Sequence, residues 1–255
     1  MKINEFDYCF KMRDDKDISI DIGSIYKNLG YNNCDKEKIA KIYNLSYEDI
    51  NNDNYLIDIN IKVGEINNCI KDNINEKCKS LQNMWDNYRN KYYSIISKIL
   101  DINIVKDITE YRYCYIQLLP INEVALMDKC IYLIYSEDVN EMFKNFIILL
   151  TKLILVNKWK TDNNWVFETE FDAKNKIWMF AELSIDAIFN YSELKSITSS
   201  PTYPHFYNLI IDDVNIINLF RDMFCRCEIN QFLTNVYTYV HNNYLKISKF
   251  KHYLY

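Results

Sequence analysis

The sequence predicts an α+β fold that is mostly helical with a small mixed or antiparallel sheet. Apolar residues recur every three or four positions over long stretches, which is the period of amphipathic helices. Shorter stretches alternate apolar and polar residues or are rich in aromatic and β-branched residues, which is typical of strands. With 49% hydrophobic and 25% charged residues, the 255-residue chain is able to bury a large core. We therefore expect a single compact domain over residues 1–255, with a small N-terminal lobe over residues 1–64.

The N-terminal part contains two alternating segments and one long helical pattern. Residues 18–22 alternate and end at Gly23, which predicts a short strand. Residues 55–63 alternate again, with three isoleucines on the apolar side, and end at Gly64, which predicts a half-buried strand. From residue 65 to about residue 100 the apolar period becomes helical, so one long helix or two shorter helices follow.

The remaining elements follow from the same two periods. Residues 111–119 and 129–135 flank Pro120 and predict a β-hairpin. Residues 137–159 are apolar around most of a helical circumference, which predicts a central buried helix. Residues 165–171 alternate aromatic and acidic side chains, which predicts a further strand. Three more helices are predicted over residues 177–189, 214–225 and 229–247.

The scarcity of glycine excludes several large enzyme classes. The chain has only Gly23, Gly30 and Gly64, whereas phosphate loops and dinucleotide turns need several glycines close together. Part of this scarcity reflects AT-rich coding, since alanine, proline and arginine are also rare while asparagine, isoleucine, lysine and tyrosine are abundant. All three glycines are predicted to end strands or helical segments. The sequence therefore predicts no bound organic cofactor.

Charge and cysteine content predict a soluble, cytoplasmic protein. The formal net charge of −5 gives no strong attraction to nucleic acid or anionic lipid. Eight cysteines occur without a C-x-x-C motif, which indicates free thiols in a reducing compartment. The first residues lack the apolar stretch of a secretory signal, and the apolar run over residues 146–156 is shorter than a membrane span. No membrane association is expected.

Clustered carboxylates offer one alternative function. Glu168 and Glu170 lie on the predicted strand over residues 165–171, and Glu182 and Asp186 lie one turn apart on a mostly apolar helix. Buried carboxylates are costly unless they are paired or coordinated. Glu182 and Asp186 are thus candidate ligands of a divalent cation, and all four are candidate catalytic residues of a metal-dependent hydrolase. The other interpretation is that these acids face water and pair with lysines nearby in the sequence.

Residues 36–53 offer a second alternative because they resemble a helix-turn-helix. Ala40 is a small residue suited to a helix contact, and Asn44 tolerates the left-handed backbone that the turn needs. The second helix carries Glu48 and Asp49, where contacts to DNA need basic or amide side chains. A helix corner without DNA binding fits this composition, and a DNA-binding regulator is the alternative.

The favoured function is binding of another protein. Aromatic residues concentrate in the C-terminal third beside the acidic residues, which is the composition expected of an interface with a basic partner. No catalytic signature accompanies them. We therefore expect a non-catalytic intracellular protein that binds another protein, as an immunity- or antidote-type inhibitor does. The candidate interface residues are Trp165, Trp178, Tyr191, Tyr203, Phe206 and Tyr207.

Overall fold

A computed structural model describes most of the chain and confirms the predicted fold class. It describes residues 2–4, 7–27, 33–46, 54–105, 111–119, 123–125, 130–163, 171–198 and 209–248. Within these ranges the α-helices are α1 (Asp15–Lys27), α2 (Asn33–Tyr43), α3 (Tyr55–Leu100), α4 (Val139–Asp162), α5 (Phe171–Asn190), α6 (Ile216–Arg226) and α7 (Ile229–Ser248). The strands are β1 (Lys2–Asn4), β2 (Asp7–Met12), β3 (Asn103–Val105), β4 (Tyr111–Gln117), β5 (Glu123–Ala125), β6 (Cys130–Ile134), β7 (Ile210–Ile211) and β8 (Val214–Asn215). The described part is mostly helical, with small parallel and antiparallel pairings.

The chain divides into two compact units. The sheet unit comprises Tyr8–Trp85 and Tyr111–Met142, and the helical unit comprises Met1–Asp7, Asp86–Glu110 and Phe143–Tyr255. The boundaries fall inside α3 and α4, so neither unit is one continuous stretch of chain. The single domain over residues 1–255 with a lobe over residues 1–64 stays a prediction.

The sheet unit is built on four strands in the order β2-β4-β6-β5. Strands β4 and β6 are both present where the sequence predicted strands, but the predicted hairpin between them is wrong. They run parallel, with Cys114 opposite Ile131, and β5 pairs antiparallel with β6 at the sheet edge. Parallel neighbours need a connection that returns the chain to the same end of the sheet, and a tight turn at Pro120 does not provide it. The inner face of the sheet is mostly apolar but includes the buried Arg112, and Tyr8 meets the buried Trp85 edge-on at 6.2 Å.

The opposite face of the sheet carries a row of tyrosines capped by cations. Tyr115 lies 5.7 Å from Tyr113 and 5.8 Å from Tyr132, measured between ring centroids. Lys11 and Arg13 each lie 4.0 Å from the centroid of an end ring, Tyr113 and Tyr132 respectively. These cation–π and ring contacts connect β2, β4 and β6 across the sheet.

The two strands predicted over residues 18–22 and 55–63 are wrong, because both segments are helical. Residues 18–22 lie inside α1, and residues 55–63 form the first turns of α3. A short alternating run also contains apolar residues four positions apart, so it satisfies a helical period equally well. In the helix Ile59 is fully buried, whereas Ile57 is 60% exposed, so the alternating residues do not share one face.

The two described glycines do not end strands, although the sequence predicted that they would. Gly23 and Gly64 lie inside α1 and α3, and Gly30 lies outside the described residues. A Cβ on Gly23 would lie 2.7 Å from Leu56 Cδ2, so glycine there permits the close approach of α1 to α3. The left-handed backbone positions of the described chain belong to four other residues instead, Asn44 (φ 49°), Asp101 (φ 50°), Asp212 (φ 50°) and Asp213 (φ 65°). Asn44 thus has the backbone conformation that its sequence context predicts.

The turn between β7 and β8 gives a stability prediction. Asp212 and Asp213 both have positive φ, which is the geometry of a type I′ hairpin turn that glycine favours. We expect Asp213→Gly to raise the free energy of unfolding by about 0.5–1 kcal/mol because it relieves left-handed strain. Urea unfolding followed by tryptophan fluorescence measures this. The control Lys91→Gly, at an exposed position inside α3, should lower the same quantity by about 0.5–1 kcal/mol, and a lower stability for Asp213→Gly would contradict the prediction.

Helix α4 is the buried helix that the sequence predicted, and from Phe143 onward it belongs to the helical unit. Every residue from 146 to 156 is buried. Helix α5 packs against α6 and α7, and the predicted helices over residues 177–189 and 229–247 are confirmed with bounds a few residues longer. The helix predicted over residues 214–225 begins two residues later because Val214–Asn215 forms β8. None of the helices in the described ranges is both long enough and apolar enough to span a membrane.

Candidate functional site

Glu182 and Asp186, the two candidate carboxylates of α5, are each neutralised by a cation from another helix. Glu182 forms an ion pair with Lys152 of α4. The side chain of Lys152 is buried. Asp186 is 3% exposed and accepts hydrogen bonds from Arg221 of α6, from Nε at 2.7 Å and from Nη2 at 3.1 Å. Asn190 Nδ2 also donates to Asp186 Oδ1 at 2.9 Å. The two acids therefore join α5 to α4 and α6 through ion pairs.

These pairs leave little capacity for metal binding at Glu182 and Asp186. Each carboxylate already has a cation within contact distance, which supplies the charge that a bound metal would otherwise supply. Among the described residues, no three histidine, cysteine or acidic side chains lie close enough together to hold a metal ion. Glu168 and Glu170 lie outside the described residues, so the four candidate carboxylates are not seen together.

Two buried cysteines of the sheet unit, Cys78 and Cys114, are poor nucleophiles. Burial raises the pKa of Cys78 to about 11, and burial also raises the pKa of Cys114. A thiol with a raised pKa stays protonated near neutral pH, and the thiolate is the reactive form. His241 on α7 is exposed, with its ring 6.2 Å from that of Tyr237. His205 and His252 lie outside the described residues.

The predicted helix-turn-helix is described only in its first half. Helix α2 ends at Tyr43, Asn44 takes the left-handed conformation, and Leu45 N donates to Ala40 O at 2.9 Å. This hydrogen bond closes the helix end in the way expected of a left-handed cap. Residues 47–53, which would form the second helix, lie outside the described residues. DNA binding by this segment stays a prediction.

Only two of the six predicted interface residues are described. Trp178 is partly buried on α5, and Tyr191, directly after the end of α5, is 52% exposed. The other four lie outside the described residues, namely Trp165, Tyr203, Phe206 and Tyr207.

Helices α1 and α3 form an antiparallel pair whose alignment is given by three contacts. Asn67 Nδ2 donates to Asp15 Oδ1 at 2.6 Å near one end of the pair. Ser19 Oγ donates to Asn60 Oδ1 at 3.2 Å in the middle. The third contact, at the other end, is the close approach of Gly23 to Leu56. Moving four residues forward along α1 therefore corresponds to moving four to seven residues in the opposite direction along α3.

One face of this helix pair is buried and the other carries exposed aliphatic side chains. The buried face contributes Ile18, Ile22, Ile59 and Val63 to the core of the sheet unit. Successive residues turn by about 100° around a helix, which places Ile20, Ile57 and Ile61 on the side away from that core. The α1–α3 patch consists of Ile20 (46% exposed), Leu56 (40%), Ile57 (60%) and Ile61 (53%).

The strand predicted over residues 55–63 is incompatible with the α1–α3 patch. A strand over residues 55–63 puts Ile57, Ile59 and Ile61 on one buried face. A helix puts Ile57 and Ile61 on one stripe and Ile59 and Val63 on another. A helical period over residues 55–63 of the sequence indicates this second apolar stripe.

The net charge of the chain lies in the sheet unit. That unit contains 18 acidic and 13 basic residues, which gives −5, whereas the helical unit contains 17 of each. Acidic residues also outnumber basic residues around the α1–α3 patch. The acids are Asp17, Asp21, Asp58 and Glu65, and the bases are Arg13, Lys16 and Lys62. Arg13 pairs with Asp21 at 2.6 Å, so the other three acids face two lysines. The patch is therefore an aliphatic surface in acidic surroundings.

Comparison with known proteins gives no relative from which a function could be transferred. No family model matches the chain, and neither a curated protein nor a solved structure matches it.

Proposed function

We propose that this chain is a non-catalytic intracellular protein that binds another protein, in the manner of an immunity- or antidote-type inhibitor. The observation that carries the proposal is the α1–α3 patch. Isolated apolar side chains are common on protein surfaces, whereas contiguous aliphatic groups with a polar rim are typical of interaction sites. Four large aliphatic residues on two packed helices fit the second description.

The packing beneath the patch favours binding without rearrangement. The Ser19–Asn60 hydrogen bond and the close approach at Gly23 hold α1 against α3. A binding surface that is ordered before the partner arrives loses less conformational entropy on association. Because the inner stripe of the same helices is buried in the core, the outer stripe keeps its position.

The carboxylate alternative has weaker support, and calorimetry tests it. Because Lys152 and Arg221 already neutralise Glu182 and Asp186, titration with Mg²⁺ or Mn²⁺ is expected to give no heat that depends on these two acids. Glu182→Gln and Asp186→Asn should therefore leave the titration unchanged. Saturable binding that either substitution abolishes would favour the metal-dependent hydrolase instead.

The proposed function is tested by cross-linking through the patch and then by reconstitution. A photoreactive amino acid placed at Ile57 is activated in cells of the native source, and the adduct is identified by mass spectrometry. The captured protein is then purified and titrated against the wild-type chain and against Ile57→Gln/Ile61→Gln. We expect the double substitution to weaken binding at least tenfold, because hot-spot side chains contribute most of the affinity at an interface.

A matched control separates the patch from general surface effects. Ile210 is 58% exposed on β7 in the helical unit, so Ile210→Gln removes a similar aliphatic side chain elsewhere. Its affinity for the captured protein should equal that of wild type. The proposal fails if no protein is cross-linked at position 57, or if the captured protein binds Ile57→Gln/Ile61→Gln as tightly as wild type.

A further inference from the structure

We infer that the segment bound by the α1–α3 patch is a basic amphipathic helix of the partner protein. This inference rests on the proposed function and adds the chemistry of the partner. It follows from the spacing of the exposed aliphatic groups and from the charge around them.

The spacing of the patch matches the apolar stripe of a helix. Ile57 and Ile61 are one helical turn apart on α3. The Ser19–Asn60 contact places Ile20 of α1 at a level between them. A partner helix that lies along the outer side of the α1–α3 pair meets aliphatic side chains from both helices. Its apolar residues at positions i, i+3, i+4 and i+7 contact the side chains of the α1–α3 patch.

The charge around the α1–α3 patch favours a positively charged partner segment. Asp17 and Glu65 are exposed, one helical turn from Ile20 and Ile61 respectively. The sheet unit as a whole carries the −5 net charge of the chain. Lysine and arginine beside the apolar stripe of a bound helix are attracted by these acids, whereas phosphates of nucleic acid or of anionic lipid are repelled.

Three synthetic peptides test this inference by fluorescence polarisation. The first is an 18-residue leucine/lysine peptide with leucine at helical spacing, the second has the same residues in scrambled order, and the third replaces every lysine by glutamate. The first peptide is expected to bind the wild-type chain with a Kd on the order of 10 μM. The scrambled and acidic peptides should bind at least tenfold more weakly.

Three variants locate the binding site on the chain. Ile57→Gln/Ile61→Gln keeps the net charge and improves helix propensity, so it should fold normally and bind the first peptide at least tenfold more weakly. Asp17→Asn/Glu65→Gln should weaken binding about threefold and reduce its dependence on salt concentration. Ile210→Gln, the control in the helical unit, should bind as wild type does.

The outcomes separate this inference from the proposed function. Equal binding of the acidic peptide, or of Ile57→Gln/Ile61→Gln, overturns the basic amphipathic helix. A protein cross-linked at position 57 that binds through a surface without basic residues would overturn the inference and leave the proposed function intact. Absence of any protein cross-linked at that position would overturn the proposed function itself.

Discussion

Replacing Arg221 by methionine is expected to lower the free energy of unfolding by about 3 kcal/mol. The substitution leaves the carboxylate of Asp186 buried at 3% exposure without its cation, and removing one partner of a buried ion pair costs about 3–5 kcal/mol. The expected value lies at the low end because Arg221 itself is 24% exposed. Urea unfolding of the whole chain, followed by tryptophan fluorescence, measures the change in the free energy of unfolding.

Two further variants show that the loss comes from the uncompensated charge. Arg226→Met breaks the exposed Asp222 pair, whose atoms are 3.9 Å apart, and should change stability by less than about 0.5 kcal/mol. Asp186→Asn combined with Arg221→Met removes the buried charge and should recover at least half of the lost stability. If Arg221→Met is as stable as Arg226→Met, the ion pair does not stabilise the contact between α5 and α6.

Replacing Trp159 by alanine is expected to lower the free energy of unfolding by about 3–5 kcal/mol. Trp159 is 7% exposed near the end of α4. Its ring lies 4.6 Å from that of Tyr237 on α7 and 5.1 Å from that of Phe180 on α5. The substitution removes the ring through which three helices meet and leaves a cavity that neighbouring side chains fill only in part.

Conservative and exposed substitutions serve as comparisons for Trp159. Trp159→Phe keeps an aromatic ring in place and should lose less than half as much stability as Trp159→Ala. Tyr191→Ala removes an aromatic side chain that is 52% exposed and should cost less than about 1 kcal/mol. Thermal unfolding by circular dichroism gives the ranking, and equal losses for Trp159→Ala and Tyr191→Ala would show that the ring cluster is not a core of the helical unit.

The sequence by itself determined the fold class and the long helices. Over residues 65–100, 137–159 and 229–247 the apolar period extends through many turns, so chance alternation does not imitate it. Strands β4 and β6 were also predictable, because aromatic and β-branched residues dominate them. The left-handed backbone at Asn44 followed from local chemistry, since asparagine tolerates positive φ.

Only the tertiary structure decided how the elements pair and which groups neutralise each other. The run over residues 55–63 fits two periods, and packing against α1 selected the helix, which left Ile57 and Ile61 on the outer face. The cations that pair with Glu182 and Asp186 lie 30 and 35 residues away in sequence. Periodicity is a property of neighbouring residues, whereas strand direction, ion-pair partners and the exposure of a second apolar stripe depend on residues distant in the chain.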